Sequence, residues 1–294
     1  MTSNQSDFEQ LQRAIAAEKE QRLKEHQDEI AALPLSFLED PERPLNLVAQ
    51  GDSWFDYKLP LFSPSDIISQ LKRLKTKRPT ILRLANAGEA VQNMLGYKKI
   101  NELKEALNEG ANGRFDAILF SGGGNDFAGD QFRLWLNEAS AVANDPAHAQ
   151  NTKRVDALFA IILAGYQDLI EARNAYNLAH GKNIPIFAHS YDFAIPNNIG
   201  VCGAGPWLRP SLYDRGWKDD ANNRLIVRTL LERFHVMLEG LASDPANNFV
   251  HIKTQGTIQS DAEWDNELHP TLQGFTRMTE LFLGALRSKF PGRI

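Results

Sequence analysis

The apolar residues of this chain fall into two patterns, which alternate from about residue 45 onward. Short runs of consecutive apolar residues are typical of buried strands, whereas longer stretches with a spacing of three to four residues predict amphipathic helices. The runs that predict strands are 45–49, 80–84, 117–120, 184–188 and 249–252. The stretches that predict helices lie near 64–76, 89–108, 153–179, 222–241 and 272–288. This alternation predicts a parallel sheet, because each right-handed crossover places a helix on a face of the sheet.

Residues 1–44 have a different pattern from the rest of the chain. Many charged residues surround a thin apolar stripe, whose members are Phe8, Leu11, Ile15, Leu23 and Ile30. This pattern predicts one long amphipathic helix, and prolines end it. We therefore divide the chain into a helical extension with a linker, 1–44, and one α/β domain, 45–294. A solvated helix that lies on the domain is favoured over a lid or a dimerisation arm, although a homo-oligomer through this helix stays open.

Composition narrows the classes of protein that the chain can represent. The 294 residues are 43% hydrophobic and 23% charged, which excludes a disordered or fibrous chain. The net charge of −5 gives no reason to expect a nucleic-acid partner. We expect a cytoplasmic protein, because neither a membrane span nor a signal peptide is visible in the sequence. The single cysteine, Cys202, excludes an internal disulfide and a cysteine-built metal centre.

Candidate chemistry lies where predicted strands end, the edge at which open α/β sheets bind ligands. Ser53 follows the first strand and is a candidate nucleophile, and Gly88 follows the second with a backbone N–H that could reach the same pocket. Asn125 offers a side-chain amide after the third strand. His269, flanked by carboxylates after the last strand, is a candidate general base. Each residue taken alone also has an ordinary structural interpretation, such as a helix cap or a turn.

Taken together and in this order, the four segments resemble the signature blocks of the SGNH (GDSL-type) hydrolases. The matching residues are Gly51-Asp52-Ser53, Asn86-Ala87-Gly88, Gly123-Gly124-Asn125-Asp126 and Asn266-Glu267-Leu268-His269-Pro270. The resemblance extends from residue 45 to about residue 290. It implies a three-layer α/β/α fold with a five-stranded parallel sheet in the order 2-1-3-4-5.

The resemblance also implies a mechanism. Ser53 would attack an ester carbonyl, and His269 would accept its proton and then donate it to the leaving alcohol. The backbone N–H groups of Ser53 and Gly88 and the side-chain amide of Asn125 would form the oxyanion hole. The chemistry needs no metal and no cofactor. We expect Asp52 and Asp126, which flank these residues, to have structural roles.

The chain departs from the family pattern at the acid of the triad, which normally lies three residues before the histidine. Position 266 is Asn. Asp265 could reach His269 through a kinked turn, and we expect Ser53, His269 and Asp265 to be the catalytic residues. Two alternatives stay open, namely that Asp192 supplies the charge after the fourth strand, or that the neutral Asn266 orients the ring. Glu267 is expected to point away, and Asp261 is a more distant option.

The function predicted from the sequence is a serine hydrolase that cleaves small-molecule carboxylic esters through an acyl-enzyme. The ester itself stays open, and short acyl esters, acetylated sugars, lysophospholipids and thioesters are all compatible. The segment 190–221 is rich in Gly, Pro and aromatic residues and predicts an ordered loop over the active face. The altered acid motivates a second hypothesis, a catalytically weak binding protein on the same fold. A metallophosphoesterase is a remote third, because few His ligands accompany its motifs.

Overall fold

A five-stranded parallel sheet forms the centre of the molecule. The computed structural model describes residues 3–34, 40–57, 65–109, 114–201 and 204–294. The strands are β1 Asn46–Gly51, β2 Thr80–Arg83, β3 Ala117–Ser121, β4 Ile186–His189 and β5 Phe249–Ile252. All neighbouring pairs are parallel and the order is β2-β1-β3-β4-β5. The five predicted strands and their predicted order are therefore confirmed.

Nine α-helices accompany the sheet in the described residues. They are α1 Ser3–Ala31, α2 Ile67–Leu71, α3 Val91–Met94, α4 Tyr97–Glu109, α5 Gly124–Phe127, α6 Thr152–His180, α7 Arg209–Asp214, α8 Asp220–Ser243 and α9 Leu272–Lys289. Short 3-10 helices lie at Asp130–Trp135, Ala139–Val142, Pro146–His148, Pro245–Asn247 and Asp261–Glu263. No helix in these parts of the chain is long and apolar enough to cross a membrane.

The helices cover both faces of the sheet. Phe120 of β3 packs edge-on against Tyr166 of α6, whereas His189 of β4 contacts Phe282 of α9. Phe120 pairs in register with Ala188, which precedes His189, so that Phe120 and His189 point to opposite faces. A sheet covered on both faces needs apolar side chains on both, and every residue of β1 and β3 is buried. The predicted three-layer α/β/α fold is confirmed.

Two predicted helices differ in extent from the observed ones. The stretch 89–108 forms two helices, α3 and α4, because Leu95 leaves the helical region (φ −112°, ψ 9°) and Gly96, a weak helix former, follows it. The stretch 64–76 gives only α2, which Asp66 caps by accepting the N–H of Ser69 at 2.8 Å. A basic run from Lys72 to Arg78 then lacks the apolar spacing that would continue the helix.

The second half of α1 lies against the edge strand β2. Arg22 donates to the carbonyl of Ala85 at 3.0 Å, and His26 Nε2 lies 2.9 Å from Asn46 Oδ1. Ile30 is buried in the same contact. The side chains of Phe8, Leu11 and Ile15 lie outside the described residues, as does Cys202. The exposed edge of a sheet can pair with a strand of another chain. Here α1 covers the edge that β2 forms.

Candidate active site

The ends of the strands are joined to one another by hydrogen bonds. Asp52 donates its backbone N–H to the carbonyl of Ser121 at 3.0 Å, and Asn86 donates to the carbonyl of Gly51 at 2.9 Å. Asp126 accepts the backbone N–H of Val91 at 2.7 Å, which joins the segments after β2 and β3. These bonds bring three of the four predicted segments to one edge of the sheet.

Glycines allow this close approach at two positions. A Cβ on Gly51 would lie 2.8 Å from the Cβ of Ser121, closer than real Cβ atoms approach, so that β1 and β3 can meet here only if residue 51 has no side chain. Gly123 has φ of +119°, and a Cβ there would lie 2.6 Å from the ring of Phe234. Both positions therefore require glycine for space, and Gly123 also requires it for backbone conformation.

Ser53 and His269 are in hydrogen-bond contact. Ser53 Oγ lies 2.7 Å from His269 Nε2, and both side chains are almost completely buried. Trp54 holds the fourth segment in place, because its indole N–H donates to the carbonyl of Leu268 at 3.2 Å. The contact joins residues that are 216 positions apart in the chain, and it is the geometry that a serine nucleophile and its general base require.

Asn266 is the side chain that contacts the other nitrogen of His269. Its Oδ1 lies 2.9 Å from His269 Nδ1 and also accepts the backbone N–H groups of Leu268 and His269, each at 3.0 Å. Because these two backbone groups can only donate, the oxygen of the amide must face them. His269 Nδ1 must then carry the proton, which leaves the lone pair of Nε2 directed at Ser53.

Asp265, expected to contact His269 directly, lies behind Asn266 instead. Its Oδ2 accepts the hydroxyl of Tyr57 at 2.7 Å and the amide of Asn266 Nδ2 at 3.2 Å. The same amide donates to the Tyr57 oxygen at 3.0 Å. The spacing along the chain explains the difference. Residue 266 lies three positions before His269, and its side chain returns to the histidine across a tight turn. The side chain of residue 265 points to Tyr57 instead.

The other acids considered from the sequence have structural partners. Asp192 accepts the backbone N–H groups of Gly256 and Ile258, both at 2.6 Å. Glu267 is fully buried and accepts four backbone N–H groups of the segment 198–209. Asp261 forms an ion pair with Arg224 at the surface. Their carboxylates are therefore engaged away from the imidazole of His269.

The surroundings of His269 favour its neutral form. Burial lowers the pKa of His269 to about 3. The ring of Tyr57 stacks on the imidazole with 4.2 Å between ring centroids, and Trp207 contacts it edge-on at 5.7 Å. A neutral imidazole can accept the proton of Ser53. The imidazolium that results needs a compensating negative charge, and Asp265 lies one side chain away.

Asp52 stabilises the floor of the site. Its carboxylate accepts the hydroxyls of Ser121 at 2.7 Å and Tyr191 at 2.5 Å and the backbone N–H of Trp54 at 3.0 Å. His189 Nε2 lies 2.8 Å from Ser121 Oγ, so that the chain of hydrogen bonds continues from β3 to β4. Burial raises the pKa of Asp52 to about 6 despite these donors. His189 itself is fully buried.

Hydrogen bonds connect the segments that contain Gly88 and Asn125, the other predicted oxyanion-hole residues, to the segment that contains Ser53. The segment that contains Gly88 begins at Asn86, which is bonded to Gly51, and Gly88 has φ of +79°. Asn125 Nδ2 donates to the carbonyl of Glu89 at 3.1 Å, and this bond joins the Gly88 segment to Asn125. An amide nitrogen carries two hydrogens, so that Asn125 keeps a second N–H to donate.

A small cavity of about 30 Å³ opens next to Ser53. Ser53 and Asn125 both line it. The other lining residues include Trp54, Phe127, Tyr191, Ala194, Leu231 and Leu268. The volume is that of a group of a few atoms, and the walls are mostly apolar.

Sequence reasoning missed the part that Tyr57 and Tyr191 take in these networks. Tyr191 falls within the predicted loop 190–221, and no motif marks Tyr57. Both hydroxyls bind carboxylates across long distances in the chain, 208 positions for Tyr57 and 139 for Tyr191. The one available signal was the position of Tyr57, four residues after Ser53.

Comparison with solved structures identifies the fold. A lipase from a goat rumen metagenome is 17% identical, with a TM-score of 0.50 over 82% of this chain and 97% of the lipase. A G-D-S-L family lipolytic protein from Veillonella parvula is 15% identical (TM-score 0.43; 82% and 97% of the chains). A family 3 carbohydrate esterase from Talaromyces cellulolyticus is 12% identical (TM-score 0.44; 84% and 98%).

No protein-family model matches this chain, and no curated protein matches its sequence. The likeness to the lipase covers most of this chain, whose centre is the parallel sheet of order 2-1-3-4-5 with helices on both faces. The chain has the fold of the goat rumen lipase, as the resemblance to the SGNH (GDSL-type) hydrolases implies. At these identities the likeness defines the fold alone.

Proposed function

We propose that this protein hydrolyses carboxylic esters with Ser53 as nucleophile and His269 as general base. The observation that carries the proposal is the contact of 2.7 Å between Ser53 Oγ and His269 Nε2, with Nδ1 held by Asn266. Lipases and esterases among the solved structures of the same fold support it. In the first step Oγ forms a bond to the ester carbonyl carbon while its proton moves to Nε2.

The tetrahedral intermediate carries a negative oxygen that needs donors. In the proposal these are the backbone N–H groups of Ser53 and Gly88 and the remaining amide N–H of Asn125. The bond to the alcohol then breaks, and His269 donates its proton to the leaving oxygen. Water attacks the acyl-enzyme with His269 again as base, which releases the acid and restores the Ser53 hydroxyl.

Asp265 is a positioning residue in this proposal. It acts through Asn266, whose amide it orients from behind together with the hydroxyl of Tyr57. Its negative charge also stabilises the imidazolium that forms during the attack, and Asn266 alone cannot supply that charge. The catalytic group is therefore Ser53, His269 and Asn266, with Asp265 and Tyr57 behind them.

The size of the cavity favours a short acyl group. A cavity of only about 30 Å³ with mostly apolar walls beside Ser53 and Asn125 suits a small acyl group such as acetyl better than a longer chain. One methylene in a tight apolar pocket changes specificity by about 10- to 200-fold. We therefore propose acetyl esters as the substrate class.

Kinetics with p-nitrophenyl esters of increasing acyl length test both statements. We expect kcat/KM to be highest for acetate and to fall by at least about tenfold from acetate to butyrate. Ser53→Ala should lower kcat by at least about 10³-fold. Ser140→Ala, at an exposed serine, is the matched control and should keep full activity.

Asn266 is also the reason to consider a binding protein as the alternative function. A protein that has lost catalysis would have a triad without its acid. The same assay separates the two functions. An inactive wild-type protein that becomes active as Asn266→Asp would favour the binding protein.

A further inference from the structure

Three metal-ligand side chains meet between α8 and the edge strand β5. His235 and Glu239 are four residues apart on α8, so that their side chains are neighbours on one face of the helix. His251 lies on β5, against which α8 packs. One ligand atom of each residue can be chosen so that all three lie within 4.8 Å of one another.

His251 is the residue that points to a ligand. Both of its ring nitrogens are shielded from solvent, and neither has a hydrogen-bond partner within the described parts of the chain. A buried polar group without a partner costs free energy and is rare in folded proteins. The ring lies 4.6 Å from that of His235, centroid to centroid. A cation bound to one of these ring nitrogens would give His251 a partner that the described residues do not provide.

The geometry around His235 fits a metal ligand. Its Nε2 lies 3.3 Å from Glu239 Oε1, and ligand atoms at tetrahedral Zn²⁺, with bonds of about 2.1 Å, are separated by about 3.4 Å. Its Nδ1 lies 3.2 Å from the hydroxyl of Ser190, which follows β4. A hydrogen bond at the second nitrogen is the usual device that orients a metal-binding histidine.

We propose that His235, Glu239 and His251 bind one divalent transition-metal ion, best matched by Zn²⁺, which joins α8 to β5. Two imidazoles and a carboxylate are ligands that Zn²⁺ prefers and that Mg²⁺ does not. The cluster shares no residue with the pair of Ser53 and His269. The proposal is thus independent of the proposed ester hydrolysis.

Lys253 competes for the same carboxylate. Its ammonium lies 2.6 Å from Glu239 Oε1, and its side chain is 65% exposed. A cation bound at Glu239 would repel the ammonium, and a long exposed side chain can move into solvent. Lys253 should therefore weaken metal binding rather than support it.

Calorimetric titration of the full chain with ZnCl₂, after treatment with chelator, tests the site. We expect one Zn²⁺ per chain and no binding of MgCl₂. His251→Gln and Glu239→Gln should each weaken Zn²⁺ binding by at least about tenfold. His148→Gln is the matched control, because it removes an exposed histidine that also pairs with a carboxylate, Asp145. His269→Gln should bind Zn²⁺ like the wild type.

Lys253→Gln gives a result in the opposite direction. It should tighten Zn²⁺ binding by about two- to fivefold, the range expected for loss of an exposed ion pair, and its exposed position leaves folding intact. The proposal is overturned if the wild type binds no stoichiometric Zn²⁺, if His251→Gln binds as tightly as the wild type, or if only His269→Gln loses binding. Unchanged affinity in Glu239→Gln would exclude Glu239 as a ligand.

Discussion

The amide of Asn266 has an accepting oxygen and a donating nitrogen, and its neighbours determine which one meets His269. Two backbone N–H groups fix the oxygen, and Asp265 and Tyr57 accept from the nitrogen. Asn266 thereby sets the orientation and tautomer of the imidazole, two tasks that an acid performs in other triads. In the proposed mechanism Asp265 performs the third task, the stabilisation of positive charge, from a greater distance.

The charge of Asp265 can be tested separately from the orientation of the ring. Asp265→Asn should lower kcat by about tenfold, roughly 1.4 kcal/mol, because it removes the charge that stabilises the imidazolium. KM should stay unchanged, since the oxygen of Asn266 keeps its backbone donors. Steady-state kinetics on p-nitrophenyl acetate measure both constants. An unchanged kcat would remove Asp265 from the account, whereas an altered KM would indicate a change in pocket shape.

The pH profile of Asn266→Asp tests the electrostatics of the histidine. In the wild type, burial holds the pKa of His269 far below its ordinary value of 6.5, so that kcat/KM should not decline until well below pH 6. A carboxylate at position 266 favours the imidazolium and should raise that pKa, which moves the acid limb of kcat/KM to higher pH by about one unit or more. An acid limb that stays in place or moves lower contradicts the contact between residue 266 and Nδ1.

At the scale of elements, a single carboxylate orders the loop that reaches the site. Glu267 accepts backbone N–H groups of Asn198, Trp207, Leu208 and Arg209 at 2.5 to 3.1 Å. Trp207 in turn contacts the ring of His269. Glu267, next to Asn266 in the chain, thus holds the loop segment that carries Trp207.

Glu267→Gln should loosen this loop. The amide nitrogen would face backbone donors, which costs roughly 1–3 kcal/mol for each buried group left without a partner. We expect a lower free energy of unfolding in urea and faster proteolysis within 197–209. The control is Asp261→Asn, whose carboxylate is at the surface and should change stability by no more than about 0.5 kcal/mol. Equal protection of the loop in both variants would contradict this role of Glu267.

The strands could be predicted from the sequence because burial on both faces makes each of them a continuous apolar run. The glycines and polar residues after β1, β2 and β3 marked the edge of the sheet that binds ligands, and Ser53, Gly88, Asn125 and His269 follow from that rule together with the family resemblance. The sequence left Asp265, Asp192 and Asn266 as possible partners of His269 and could not select Asn266, because a turn of three residues decides which side chain returns to the ring. Hydrogen bonds such as that of the Tyr57 hydroxyl depend on contacts between segments that are far apart in the chain. The local sequence pattern carries no information about such contacts.

At the scale of the whole molecule, buried ionisable groups determine how stability depends on pH. Burial lowers the pKa of His189 and His269 to about 3 and that of His251 to about 4. It raises the pKa of Asp52 and Asp126 to about 6. As pH falls from 6.5 towards 4, the unfolded chain protonates the three histidines, whereas the folded chain protonates the two aspartates.

Burial also raises the pKa of Asp66, but the pKa values of the three histidines move further from their ordinary values, so that the unfolded chain takes up more protons and stability falls as pH falls. We expect the melting temperature, measured with chelator present, to decrease steadily from pH 7 to pH 4.5. His251→Gln removes one of the three histidines and should reduce the slope. A melting temperature that rises over this range would show that the aspartates dominate.

The central claim is that Ser53 is a nucleophile activated by His269. Incubation of the intact protein with a fluorophosphonate, followed by mass spectrometry of its peptides, tests it most directly. The account predicts one adduct per chain, on Ser53, whose formation slows by at least about 10²-fold in His269→Gln. An unlabelled Ser53, or labelling that is equally fast without His269, would contradict it.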